Sequence, residues 1–148
     1  MMIDQTKEGL LTRDMVSPAL CRELYTHYDV VVATPYQWRL FPDGYRLWTY
    51  YFDPCKLYTD TDRALWMNFP EAKPKEILSA YTISHMEQVI PGYLITKAQG
   101  TYEVGMDADY NLFEKDLRLA DAFAKLVMAC LRNRIMDNHY VINKIIGK

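Results

Sequence analysis

Apolar residues recur at helical spacing over one long stretch near the end of the chain, and this pattern predicts a helix from about Lys115 to Ile135. At about 100° per residue, Leu119, Ala120, Phe123, Leu126, Val127, Cys130 and Leu131 share one stripe, with Arg118, Asp121, Lys125 and Arg132 opposite. The stripe reads as core packing rather than a ligand groove. Asp116 stands near the positive end of the helix dipole and Arg132 and Arg134 near the negative end. Asp121 and Lys125 form an i,i+4 pair worth about 0.3 kcal/mol.

Upstream, residues 1–14 carry no strong period and read as a loosely ordered lead-in. Ser17-Pro18 gives an N-cap and a proline at the first helical position, so a helix follows from about Pro18 to His27. Leu20, Leu24 and Tyr28, joined by Cys21 and Tyr25, face inward. Asp29-Val30-Val31-Val32-Ala33 is β-branched and reads as a short buried strand. Pro42-Asp43-Gly44 is a turn signal between aromatic-rich arms, which predicts a β-hairpin of Tyr36–Leu40 with Tyr45–Phe52. From Asp53 to Ser79 the pattern is lost, apart from a short candidate strand at Arg63–Phe69, and Pro54, Pro70 and Pro74 punctuate a long loop. Thr82 then caps a helix whose Ile83, Met86, Val89 and Ile90 share a face, and Pro91-Gly92 stops it. Tyr93–Ala98 and Thr101–Met106 make a second hairpin around Gln99-Gly100. The tail, Tyr140 to Ile146, is apolar enough to dock as strand or helix.

Together these elements predict a single α+β domain over residues 1–148, with three helices on a mainly antiparallel sheet of four to six strands. A chain of 148 residues that is 50% hydrophobic suits one core. Seventeen basic and nineteen acidic residues leave a net charge of -2, so no basic field for nucleic acid or a membrane surface is implied. The opening Met1-Met2-Ile3-Asp4-Gln5 has no signal-peptide character, and no apolar run approaches the roughly 20 residues that span a bilayer. The expectation is a soluble, cytoplasmic protein that does not engage a membrane. Cys21, Cys55 and Cys130 are odd in number and far apart, which favours reduced thiols, with Cys130 in the core. Twelve tyrosines and three tryptophans raise the prior for a partner surface.

Motifs for chemistry fail on spacing. Asp107-x-Asp109-x-Asn111 begins like a calcium loop, but Leu112 stands where glycine is needed and Arg118 where a bidentate glutamate belongs. Asp60-Thr61-Asp62 with Asp53 reads as a solvated turn. His27, His85 and His139 lie in separate elements, and no phosphate loop, nucleophile elbow or HExxH helix occurs. No catalytic residue, metal ligand or cofactor is therefore assigned. Trp38, Trp48, Tyr50, Tyr58, Trp66 and Phe69 are the candidate partner-binding residues, from the first hairpin and the loop after it. Trp38, Arg39, Arg46, Trp48 and Arg63 also mix aromatic and basic side chains as a single-strand binder would, against the acidic balance of the chain.

Ala80-Tyr81-Thr82-Ile83, the helix ending at Ile90-Pro91, the Tyr-containing hairpin and Leu119-Ala120-Asp121-Ala122-Phe123 resemble a group of short uncharacterised proteins. That group is encoded in phages and integrated mobile elements of Bacteroides-type gut bacteria. Met15-Val16-Ser17-Pro18 through Tyr28, followed by Tyr36-Gln37-Trp38, resembles it as well. The resemblance implies an accessory protein in the bacterial cytoplasm and carries no activity, cofactor or site residue. The expected function is a non-catalytic interaction protein that binds a protein partner or itself, for example as a homodimer. A nucleic-acid-associated accessory protein is the alternative, and a small enzyme without a recognisable motif is third.

Overall fold

Proline at its first position opens the first helix, α1 (Pro18–Tyr28), and Asp29 at φ 53° ends it in the left-handed region. The elements then run β1 (Tyr36–Phe41), β2 (Gly44–Thr49), β3 (Glu76–Ser79), α2 (Ile83–Val89), β4 (Tyr93–Ala98), β5 (Thr101–Met106), β6 (Phe113–Asp116), α3 (Leu119–Arg132) and α4 (Asn138–Ile145). The computed structural model describes residues 13–42, 44–49, 76–106 and 112–147. The lead-in up to residue 12, most of the 53–79 loop with its candidate strand, and Asp107 to Asn111 lie outside the described residues.

The α+β class holds, with four helices among the described residues. The strands, however, form two three-stranded antiparallel sheets, ordered β2-β1-β3 and β4-β5-β6, rather than one. The fourth helix is the apolar tail, started by Asp137, whose carboxylate accepts from the Tyr140 N–H at 2.8 Å. β3 occupies the end of the segment expected to be loop, because Leu78 pairs beside Trp38 and is buried there. The expected strand at Asp29–Ala33 does not form. That stretch alternates buried Val30 and Val32 with exposed Val31, but its carbonyls accept from the Tyr81 and Ser79 hydroxyls instead of a ladder.

α3 also departs from expectation. It begins at Leu119, because residues 113–116 pair with β5 as a strand. Burial extends nearly all round it: Ala122, Ala124, Met128 and Ala129 are buried along with the predicted stripe. A helix covered on every side is a central element, not a surface one. It packs against β5, β6, α1 and α2, and one buried cluster around it draws residues from both sheets and all four helices. Asp121, placed by periodicity on the solvent side, is therefore only 6% exposed. Its partner is Arg118 at 3.0 Å rather than Lys125, which pairs with Asp116 at 2.8 Å.

Asp121 is tolerated inside because its carboxylate is saturated. One oxygen accepts from the Ser17 N–H at 2.7 Å and the other from Arg118. Ser17 thus begins α1 without a side-chain cap of its own. Arg118 also donates to the Met15 carbonyl at 2.7 Å. Met15 and Val16, both fully buried, form a strap held by hydrogen bonds at both of their carbonyls and at the Val16 N–H. The Val16 N–H donates to the Tyr81 carbonyl at 2.8 Å, the Trp38 indole donates to the Val16 carbonyl at 2.8 Å, and the Ile83 N–H donates to the Asp14 carbonyl at 2.9 Å. Removing the carboxylate leaves the Ser17 N–H without its acceptor and takes one of its acceptors from Arg118. Asp121→Ala is therefore expected to lower unfolding free energy by about 1–3 kcal/mol, and Lys125→Ala, at a half-exposed pair, by less than about 1 kcal/mol. Urea unfolding of both variants checks this, and equal losses would contradict the assignment.

Candidate functional site

Strand alternation sorts the first sheet into two unlike faces. Trp38, Leu47 and Leu78 line up across β1, β2 and β3 and point into the core. The opposite face carries Gln37, Arg39 and Phe41 from β1, Arg46 and Trp48 from β2, and Ile77 from β3. The register sets Arg39 between Arg46 and Ile77, and Gln37 beside Trp48. Each guanidinium lies over a ring: Arg39 is 4.2 Å from the Trp48 centroid and Arg46 is 4.9 Å from that of Phe41. Arg39 also donates to the Gln37 side-chain oxygen at 3.1 Å. Ring stacking separates two neighbouring cations that the pairing would otherwise bring into repulsion. Ile77 stands beside them at 53% exposure. On this face Arg46 and Ile77 are exposed, Gln37, Arg39 and Trp48 are half-buried, and Phe41 is buried at 5% exposure.

Of the six predicted partner-binding residues, Trp48 lies on this face and is half-buried. Trp38 does not lie on it and is corrected to a core residue, 6% exposed with its indole N–H bonded to the Val16 carbonyl. Tyr50, Tyr58, Trp66 and Phe69 lie outside the described residues. Phe41 and Ile77 were missed. Phe41 sits at the strand end beside the turn, and Ile77 belongs to a strand too short to show a period.

The titratable groups are committed to structure. Burial pushes the Cys21 thiol up to about 12 and the Cys130 thiol up to about 11, so neither is a thiolate near neutrality. His27 and His139 are exposed on α1 and α4. His85 sits at the third position of α2 and completes a reciprocal cap: its backbone N–H donates to the Thr82 hydroxyl at 3.1 Å, and its Nδ1 accepts from the Thr82 N–H at 3.0 Å. Its ring packs edge-on against Tyr36 and Tyr81. Among the described residues no three His, Cys, Asp or Glu side chains converge as a metal site requires, and no helix is long and apolar enough to cross a membrane.

An open cleft of about 890 Å³ lies where α1 ends and α3 passes into α4, lined in part by Tyr28, Asp29, Met106, Arg134, Asp137 and Tyr140. Its charges are of mixed sign, and Asp137 is engaged as the α4 cap. The chain matches no protein-family model, no curated protein and no solved structure.

The His85 cap has a pH signature. Burial holds the imidazole below its ordinary pKa of 6.5, and the Nδ1 acceptor role also needs the neutral ring. The unfolded chain then takes up the proton first as pH falls. Stability from this group is full above the ordinary value, declines between it and the lowered folded value, and levels off below. His85→Gln, which keeps a capping side chain, is expected to remove this part of the pH dependence. His85→Ala is expected to cost about 1 kcal/mol at high pH. Urea midpoints from about pH 5 to pH 8 check this. A wild-type curve parallel to that of His85→Gln would overturn it.

Proposed function

We propose that this chain is a non-catalytic interaction protein whose first sheet docks a protein partner through its outward arginine–aromatic face. The observation that carries the reading is the pairing of Arg39 over Trp48 with Arg46 over Phe41 on one sheet face, beside exposed Ile77. Tryptophan and arginine are the residue types that dominate binding energy at protein interfaces. Burial of the Cys21 and Cys130 thiols and the capping role of His85 give those groups a structural task, which agrees with a protein that binds rather than catalyses. The resemblance to short phage and mobile-element proteins of Bacteroides-type bacteria supports an accessory role in the cytoplasm of such a host.

The same face favours a second reading, an accessory protein on single-stranded nucleic acid, since bases stack on exposed aromatic rings and on guanidinium planes. The net charge of -2 works against it, because phosphate neutralisation supplies most of such affinity. The two readings differ in salt response.

The test immobilises the full chain, exposes it to host lysate, and compares wild type with Trp48→Ala and Arg46→Ala. Under the first reading a defined protein is retained at about 0.5 M salt, and Trp48→Ala weakens its binding by about 2 kcal/mol, roughly 30-fold. Nucleic acid that is retained and then released steeply by salt would support the second reading instead. Retention that neither variant changes would remove this face from both.

A further inference from the structure

β4 forms one edge of the second sheet, and five of its six residues are exposed. The two-residue turn that follows has Gln99 at φ 55° and Gly100 at φ 78°, the paired left-handed geometry of a type I′ hairpin. Such a turn makes Ala98 and Thr101 a hydrogen-bonded pair, and the alternation then assigns Thr96–Glu103 and Leu94–Gly105 the same role. The N–H and C=O groups of Tyr93, Ile95 and Lys97 therefore point the other way, out of an edge that no strand among the described residues covers.

Those three residues set the register of any strand added there. When the added strand is a second, antiparallel β4, Ile95 faces Ile95 across a twofold axis and Tyr93 faces Lys97 on either side. All three outward residues find outward partners, and a slip of two residues strands one of them. The side chains agree with the backbone. Burial and then the neighbouring Glu87 carboxylate on α2 raise the pKa of the Tyr93 hydroxyl, so a ring and an acid stand together at the place each Lys97 faces across the axis. Lys97 lies 4.9 Å from the centroid of the Tyr102 ring on the same face. Ile95, 42% exposed, and Leu94, 65% exposed, gain cover from the contact.

We propose that β4 pairs antiparallel with β4 of a second copy of this chain, joining two three-stranded sheets into one of six strands around a twofold axis. The interface is isologous, and both of its polar contacts, Lys97 with Tyr93 and Glu87, occur twice. It stands apart from the arginine–aromatic face, so either surface can fail without the other.

Sedimentation velocity on the full chain, from about 5 μM to about 500 μM, is expected to show monomer passing to dimer. Ile95→Lys sets two cations against each other at the axis and should raise the dissociation constant at least ~10-fold. Lys97→Glu, a surface change that leaves the core untouched, should weaken the dimer ~5-fold by meeting Glu87. Glu87→Lys together with Lys97→Glu reverses both charges and should restore it to within ~3-fold of wild type. Trp48→Ala should leave the dimer unchanged. Wild type that stays monomeric, a dimer indifferent to Ile95→Lys, or a charge swap that fails to rescue would each overturn the pairing.

Discussion

Asp121 holds the start of the described chain against its centre, and much of the fold depends on that contact. The carboxylate sits in the first turn of a helix that is otherwise apolar on nearly every side and is itself only 6% exposed. Its charge is tolerable only because a backbone N–H from Ser17 and the Arg118 guanidinium reach it together. Once Arg118 is fixed there, its second donor takes the Met15 carbonyl. The polar atoms of the strap that follow are then taken by Tyr81 and Trp38. A buried ion pair contributes modest net stability. Its larger effect is to allow one arrangement of the strap, since any slip would leave a carboxylate or a carbonyl unpaired in the interior.

The strap also links the two sheets. Through Trp38 it is bonded to the first sheet, through Tyr81 and Ile83 to the start of α2, and through Arg118 to α3, which covers the second sheet. Tyr93 stacks edge-on against Phe123 at 4.9 Å and brings the start of β4 onto the same helix. Both sheets therefore bury one face on a shared core. Arg22, ion-paired with Glu76 at 2.7 Å and donating to the Tyr45 hydroxyl, ties α1 to the rim of the first sheet.

Features that depend on neighbours in sequence were legible. The second hairpin, the Thr82 cap, the proline start of α1 and the existence of the long helix each rest on a few adjacent residues whose chemistry admits little else. Features that depend on distant partners were not. Val30–Ala33 has the composition of a strand, but Ser79 and Tyr81 claim its carbonyls from about fifty positions away. Asp121 looked solvent-facing because periodicity assigns one face per helix, and α3 has neighbours all round. Trp38 and Trp48 are alike in composition and differ only by which side of β1 and β2 they occupy. Hairpin register decides that, and nothing local to either residue reports it. The candidate face was half visible for the same reason: its arginines were singled out, while Ile77 needed β3 to be recognised.

The second sheet shows how little of its outer surface serves folding. Leu94, Gly105 and Phe113 lie in one row across the three strands. A Cβ on Gly105 would stand 2.3 Å from the Phe113 ring, so glycine at this central position lets the ring lie directly on the backbone. Glycine in a strand interior costs roughly 0.5–1 kcal/mol against alanine. Packing the ring onto the sheet offsets some of that, yet Phe113 remains 48% exposed and Leu94 65% exposed. The core beneath is already closed, with Val104 on the inner side of β5 fully buried. An apolar row laid over a closed core adds little to stability and shapes an apolar ledge on the outer face of the sheet. Its form is better accounted for by what it presents outward than by what it holds in.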